Sequence, residues 1–224
     1  MMKILFKYTS KSRPDNFFRG LDSIVNNLSN KEDYHILCTF DVDDNKYLDE
    51  DFINRVNSYE NISYYFGIST SKIYAINRDI SLAPQWDILV NMSDDFIFTQ
   101  WGFDDLIRVA FQQNFPDLDG FIHAQDGNQP RLATMSILGK RYYDMDGYIY
   151  HPSYITEWCD VESQEVAKIR GKYKYLGGDL KIMMHIHPYF GHEGCMDELY
   201  RKNMEPSPLD KDNYFKRLSL NFDL

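Results

Sequence analysis

Up to residue 98 the chain alternates between two patterns. Short apolar, β-rich runs ("KILFKYTS", "YHILCTFDVDD", "NISYYFG" and "WDILVNMSDDFIF") are separated by "RPDNFFRGLDSIVNNLSN", "LDEDFINRVNSY" and "STSKIYAINRDISLAP", whose apolar residues recur at helical spacing. Phe17, Phe18, Leu21, Ile24, Val25 and Leu28 define the first helix, and Phe52, Ile53 and Val56 the second. The third is expected to be capped by Ser69, Thr70 or Ser71 and closed before Pro84. Such alternation predicts an α/β domain built on a largely parallel sheet, whose ligands gather beyond the carboxyl ends of the strands.

Beyond residue 100 the pattern is less regular. "GFDDLIRVAFQQN" reads as a helix with Phe103, Leu106 and Ala110 on one face, and "DGFIHAQDG" as a strand and turn. "RLATMSILGKRYYDMDGYIYHPSY" reads as two strands around a glycine-bearing turn, "DVESQEVAKIRGK" as a helix and "LKIMMHIHP" as a further strand. The last thirty residues read as two helices separated by "EPSP". No internal repeat or low-complexity linker interrupts the 224 residues, 43% of them hydrophobic, so one buried core is expected.

Composition removes several classes of function. With 24 Lys and Arg against 34 Asp and Glu, the net charge of −10 argues against a nucleic-acid partner, which requires a basic surface. Cys38, Cys159 and Cys195 show no metal-binding spacing and are odd in number, which points to a reducing, cytoplasmic compartment; Cys38, inside an apolar run, is expected to be inert. No stretch approaches the roughly 18 apolar residues of a transmembrane helix, and "MMKILFKYTSK" lacks the apolar core of a signal peptide. A cytoplasmic protein is expected, peripheral at the inner membrane face at most.

Acids cluster where two strands end: Asp41, Asp43 and Asp44 after the second, Asp94 and Asp95 after the fourth. In a parallel sheet these ends share one edge. Convergent carboxylates repel unless a cation or hydrogen-bond donors neutralise them. Any one loop aspartate serves as a solvated cap or turn more often than as a ligand. Asp94 and Asp95, flanked on both sides by apolar residues, are the exception, and an oxygen-rich pair of this kind suits Mn²⁺ or Mg²⁺.

The series "KYTSKSRPDNFFRGLDSI", "ILCTFDVDD", "GISTSKIYAINRDI", "WDILVNMSDDF", "CDVESQEVAKIRG" and "MMHIHP" resembles a family 2-like glycosyltransferase with the nucleotide-sugar-binding GT-A fold, over most of residues 3–188. The resemblance implies a Rossmann-like three-layer α/β sandwich with a mostly parallel central sheet and helices on both faces. It implies a catalytic domain over residues 1–190 and a helical extension over 191–224 packed on the same domain. It places Thr9, Ser10 and Arg13 in a loop near the nucleotide, Asp41 or Asp43 against the uracil or ribose, and Lys72, Ala75 and Asn77 of a "K..A.N" pattern near the donor. The metal-binding motif reads Ser93, Asp94, Asp95 and departs from a strict Asp-x-Asp. Asp95 would then be the metal ligand, and Asp94 a partner of the ribose or of the liganding groups. The implied activity is metal-dependent, inverting transfer of a sugar from a nucleotide diphosphate sugar, with UDP as the nucleotide, to a hydroxyl of a carbohydrate, lipid-linked or protein acceptor.

Such a reaction needs the leaving diphosphate stabilised, a task for the metal and for Lys72 or Arg13, and needs the acceptor hydroxyl deprotonated as it attacks. "TEWCDVESQEV" supplies Glu157, Asp160 and Glu162, and Asp160 matches the position of the family's base. An aspartate there also suits a helix N-cap, and both roles are compatible. Trp158 is a candidate sugar platform or a core residue. In "HIHP", His185 and His187 share strand parity; the resemblance implies one imidazole beside Asp95, with His187 favoured over His185 and His192. His35, His123 and His151 read as surface or structural. Tyr200, Tyr214, Phe215, Leu218 and Phe222 form an aromatic stripe that packs on the domain, acts as a lid or meets another subunit. Lys211, Lys216 and Arg217 beside it give a weak membrane-contact signal.

Other readings remain. A nucleotidyltransferase would carry a glycine-rich basic loop after the first strand, and "TSKSRPDN" has no glycine. A non-catalytic carbohydrate-binding or scaffold protein would keep the fold without turnover. A zinc hydrolase built on "HIH" and Asp160 leaves the acidic strand ends unexplained.

Overall fold

The computed structural model describes residues 1–178, 181–192 and 196–224; Cys195 lies outside the described residues. Four strands, β1 (Ile4–Thr9), β2 (Tyr34–Asp41), β3 (Ile62–Gly67) and β4 (Ile88–Ser93), pair in parallel in the order β3-β2-β1-β4. They are connected by α1 (Pro14–Asn27), α2 (Glu50–Asn57) and α3 (Lys72–Asn77). Both faces of the central strands are buried, one of them apolar and the other mixing apolar residues with Lys7, Thr39 and Asn91. Ile4, Phe6 and Tyr8 of β1 join Ile36, Cys38 and Phe40 of β2 in one core layer, while Leu5, Leu37 and Leu89 enter the other. Alternation with apolar residues on both sides is the signature of a strand covered on two faces, and each buried Phe or Leu contributes about 1.5–3 kcal/mol.

Beyond β4 the sheet continues through β7 (Ile137–Gly139), antiparallel to β4, then β6 (Phe121–His123), antiparallel to β7, and β8 (Tyr173–Tyr175), parallel to β6. A separate two-stranded sheet pairs β5 (Phe96–Phe98), directly after Asp95, with β9 (Met183–His185), placing Phe96 opposite His185. The mostly parallel three-layer arrangement expected from the sequence is the one observed.

Several local expectations differ from the structure. "GKRYYDMDG" forms a helix, α5 (Lys140–Asp146), not the second arm of a hairpin. Its Gly147 is the left-handed helix terminator, with φ of +73°, and Tyr142 is buried against Phe121. β7 stops at Gly139, where an added Cβ would lie 2.1 Å from the Leu118 carbonyl oxygen. In α4 (Phe103–Asn114) the buried face is Phe103, Ile107, Ala110 and Phe111, together with an Asp104–Arg108 ion pair at 2.7 Å; Leu106 is only half-buried. α3 is short, because Arg78 is extended and Asp79 has φ of +71°. Ser71 is its cap, accepting from the Tyr74 N–H at 3.0 Å.

An aromatic cluster determines how the loops sit over the sheet edge. Phe17 meets Phe40 at 5.3 Å, Phe40 meets Tyr47 at 4.8 Å and Tyr47 meets Phe52 at 4.7 Å. This packing fastens the loop after β2 to α1 and sets Tyr47 under the loop after β1. After α6 (Cys159–Ile169), the chain ends in α7 (Glu198–Met204) and α8 (Ser207–Ser219). Tyr214 and Phe222 of the aromatic stripe are buried, whereas Phe215 and Leu218 are exposed. Arg217 is buried against Glu162 rather than displayed, so the surface patch suggested by Lys211, Lys216 and Arg217 loses one of its cations.

Candidate active site

The loop after β1 is held from beneath. The Tyr47 hydroxyl bonds Ser10 Oγ at 2.5 Å and accepts from the Arg13 N–H at 3.1 Å. Asp44 accepts from the Ser12 N–H at 2.5 Å, at a residue with φ of +59°. Asp44 is therefore a strut for this loop. Ser10 Oγ donates to Asp94 Oδ2, and Arg13 Nη1 donates to Asp94 Oδ1 at 3.2 Å. Burial and the adjacent charge of Asp95 push the Asp94 carboxyl up, against Arg13 and Ser10. Both oxygens of Asp94 are thus occupied by protein donors.

Asp95 turns the other way. Its Oδ1 accepts from Ser93, and its Oδ2 lies 3.3 Å from Nε2 of His185. The β5–β9 pairing makes this meeting, helped by the Ile186 N–H donating to the Asp95 carbonyl at 2.7 Å. Although burial opposes it, the His185 hydrogen bond and charge, with Lys72 and Ser93, hold Asp95 well below the usual carboxylate range. Against its own burial, His185 is raised by Asp126 and Asp95. Its ring stacks on Phe96 at 4.1 Å, and its Nδ1, buried without a hydrogen-bond partner, points towards Asp126 Oδ2 at 3.9 Å.

His187, the histidine favoured from the sequence, stands one ring further out, 4.7 Å from His185 between centroids. β9 ends before it, and strand parity no longer governs its direction. Its Nε2 lies 2.6 Å from the Tyr200 hydroxyl, and its Nδ1 accepts from the Tyr189 N–H at 3.2 Å. Burial and the His185 charge lower its pKa to about 4. His192 Nε2 is 3.4 Å from Asn128 Oδ1.

At the end of β2, Asp41 is buried and receives Lys11 Nζ at 2.7 Å, while Asp43 is exposed and lies 3.3 Å from the same nitrogen. Arg78 crosses the ends of β2 and β3, donating to the Phe40 carbonyl at 2.5 Å and to Asp79 at 3.0 Å. Thr9, in register with Thr39 and Ser93, accepts from the buried Lys7 at 3.5 Å. Asn77 does not face this edge with a free amide. Its Oδ1 accepts from the Ile149 and Tyr150 N–H groups at 2.9 and 3.2 Å, and its Nδ2 donates to the Tyr150 carbonyl at 2.6 Å. These bonds splice α3 to the segment leading into α6.

Lys72, the first residue of α3, is exposed, and its charge acts on Asp95, Asp160 and His187 together. Asp160 is not the cap of α6; that position is Trp158, with φ of +63°. Asp160 lies in the first turn, where its carboxylate accepts from the Val161 N–H at 2.9 Å. Burial raises its pKa, opposed by that N–H and by Lys72, which shifts a carboxylate towards the range useful to a general base. Trp158 packs on Tyr214 at 5.4 Å and on Phe215 at 6.1 Å.

Sequence reading missed Lys11, Asp126 and Asp197. Asp197 carries a local signal as the aspartate before "ELY" that caps α7, and Asp126 one as the aspartate of a "DG" turn, where it accepts from the Asn128 and Gln129 N–H groups. Lys11 and Asp126 matter through partners 30 and 59 residues away, Asp41 and His185.

The donor set facing the edge fits a hard divalent cation that keeps water and phosphate ligands, because such ions take one or two protein donors beside a nucleotide. It does not fit a closed structural zinc site, which needs four. Among the described residues no three His, Cys, Asp or Glu side chains converge as a complete cage.

No protein-family model matches the chain, and no curated protein matches it by sequence. Solved structures do. A mannosyltransferase, PcManGT from Pyrobaculum calidifontis in complex with GDP-Man and Mn²⁺, superposes with a TM-score of 0.67 at 11% identity, over 85% of this chain and 59% of that one. S. aureus TarS (residues 1–349) in complex with UDP-GlcNAc gives a TM-score of 0.62 at 11% identity, over 82% and 58%. A 4-diphosphocytidyl-2C-methyl-D-erythritolsynthase from Anaerococcus prevotii gives 0.53 at 14%, over 79% and 87%. The chain shares the GT-A, Rossmann-like fold with these structures. It spans less than two thirds of the two glycosyltransferase chains. No helix among the described residues is long and apolar enough to cross a membrane.

Proposed function

We propose that the protein is a metal-dependent, inverting glycosyltransferase that takes a sugar from a nucleotide diphosphate donor, with UDP as the nucleotide, to a hydroxyl acceptor. The observation that carries this reading is Asp95 facing His185 across 3.3 Å at the carboxyl end of β4, with Lys72 acting on both Asp95 and Asp160. Asp95 and His185 would hold Mn²⁺ or Mg²⁺. His185 is preferred to His187 because both nitrogens of His187 already have protein partners. A bound cation would neutralise charge on the departing diphosphate.

The chain's own groups account for the remaining tasks. Arg13 and Lys72 supply fixed positive charge for phosphate oxygens, the guanidinium as a planar fork and the ammonium as a point charge. Asp41, backed by Lys11, marks the nucleoside end of the edge. Asp160 accepts the proton of the acceptor hydroxyl as its oxygen attacks the anomeric carbon from the side opposite the leaving diphosphate, which inverts that centre.

The nucleotidyltransferase reading has the Anaerococcus neighbour in its favour. Against it, the Ser12 and Arg13 N–H groups are directed to Asp44 and Tyr47 rather than to a phosphate cradle. A thermal-shift experiment tests the preferred reading. UDP with Mn²⁺ raises the melting temperature, and Asp95→Ala abolishes the metal-dependent part of that rise. Absence of a shift with every nucleoside diphosphate contradicts it, and binding without transfer or hydrolysis of any donor favours a non-catalytic protein.

A further inference from the structure

The C-terminal helix α8 reaches into the segment that carries Asp160. Asp210, in its first turn and only 1% exposed, accepts hydrogen bonds from three consecutive backbone N–H groups. Those of Ile155 and Thr156 lie at 2.8 Å and that of Glu157 at 2.9 Å. Successive amides converging on one anion form a nest, and a buried carboxylate is tolerable only when donors satisfy it. Here Ile155 serves Oδ1, and Thr156 and Glu157 serve Oδ2.

The residue after the nest is Trp158, whose φ of +63° is costly for a side chain of that size and persists only where the surroundings over-determine it. Those surroundings belong to the C-terminal helices. Tyr214 and Phe215 pack on the indole, and Thr156 Oγ1 donates to the Asn203 carbonyl at 2.7 Å. Arg217 clasps Glu162 through Nε and Nη2 at 2.8–3.0 Å. From the opposite side the Ile73 N–H donates to the Ile155 carbonyl at 3.2 Å, one residue from Lys72. The stretch 155–158 is therefore bracketed between α8 and the start of α3, and its geometry sets where Asp160 stands relative to Lys72.

We propose that Asp210 is a positioning residue for sugar transfer: its carboxylate gathers the amides of residues 155–157 so that Asp160 is presented to the acceptor. The inference rests on Asp160 as the base and extends that reading by making the C-terminal helix part of the catalytic apparatus. A misplacement of about 1 Å at a catalytic group can cost on the order of a hundredfold in rate.

Hydrogen exchange and turnover on the full chain test it. In the wild type the amides of residues 155–157 exchange slowly, as strand amides do, although they lie in a loop. Asp210→Asn raises their exchange about tenfold or more without changing that of β1 to β4. It lowers kcat, measured as UDP or GDP release from the best of UDP-glucose, UDP-GlcNAc and GDP-mannose, by about tenfold or more, with donor KM and affinity for UDP with Mn²⁺ unchanged. A carboxylate that only stabilises the fold would lower the melting temperature and leave kcat intact in the folded variant. If Asp210→Asn does not fold, Thr156→Val, which removes one side-chain contact to Asp210 and the bond to Asn203, is read by the same exchange and kcat split. Fast exchange in the wild type, or an unchanged kcat in the folded variants, overturns the proposal. Unchanged kcat in Asp160→Asn overturns the base assignment and the proposal with it, and is recognisable because loop exchange does not depend on that assignment.

Discussion

The guanidinium of Arg13 grips Asp197, at the cap of α7, through Nε and Nη2 at 2.5 Å each, while its remaining nitrogen faces Asp94 at 3.2 Å. A two-point clasp on a carboxylate uses the same fork that would receive a phosphate. If Arg13 receives an anionic ligand as proposed, Asp197 would compete with it for the guanidinium. Asp197→Asn is expected to tighten UDP binding by about threefold to tenfold, equivalent to roughly 0.7–1.4 kcal/mol, in a calorimetric titration with Mn²⁺ present. Weaker binding would show instead that Asp197 orients Arg13 for the ligand.

The two histidines of "HIH" make separable predictions. His185→Ala removes the imidazole that, among the described residues, lies within 3.3 Å of Asp95, and should weaken Mn²⁺ binding, in the presence of UDP, by about tenfold or more, at least roughly 1.4 kcal/mol. His187→Ala loses its contact with Tyr200 and should change Mn²⁺ affinity by less than about threefold. Titration of free Mn²⁺ by electron paramagnetic resonance distinguishes them, and a reversed order would move the ligand to His187.

Lys7 is fully buried in the central strand, bonded to Thr39 Oγ1 and, at 3.2 Å, to the Ala75 carbonyl. Burial lowers its pKa to about 7, with Asp79 acting in the opposite direction. From about pH 7 to 10.5 the unfolded chain holds a proton that the native state has released, so this group makes stability rise with pH, by at most about 1.4 kcal/mol per unit. Below pH 7 both states are charged, and its unfavourable contribution is greatest. The stability of Lys7→Met relative to wild type should therefore be highest near pH 6 and decline by a few kcal/mol towards pH 10. Urea unfolding across that range checks this, and a pH-independent difference would refute it.

Arg217 and Glu162 form a buried pair, to which the Tyr154 hydroxyl adds a bond to Glu162 at 2.6 Å. Arg217→Met leaves a carboxylate in the interior without its cation and should cost about 3–5 kcal/mol. Adding Glu162→Leu should recover much of that loss, because removing both charges relieves the desolvation penalty. Thermal unfolding of the single and double variants reads the comparison directly.

Local periodicity was enough to read β1 to β4, their connecting helices and the acids at the carboxyl edge, because side-chain period and strand burial are properties of adjacent residues. It failed at "GKRYYDMDG", where Gly147 ends a helix although a hairpin turn would also have suited a glycine. It favoured His187 where His185 is the imidazole that meets Asp95, since the β5–β9 pairing rests on backbone hydrogen bonds between residues about ninety positions apart, a contact that no local pattern encodes. The tertiary structure likewise turned Asn77 into a strut, set Asp197 on Arg13 and brought Asp210 to the amides before Asp160. Residue types and their spacing determined the parallel strands β1 to β4 and their acidic edge, whereas the partner of each charged group was decided by chain folding across long separations, where desolvation makes an unpaired charge costly.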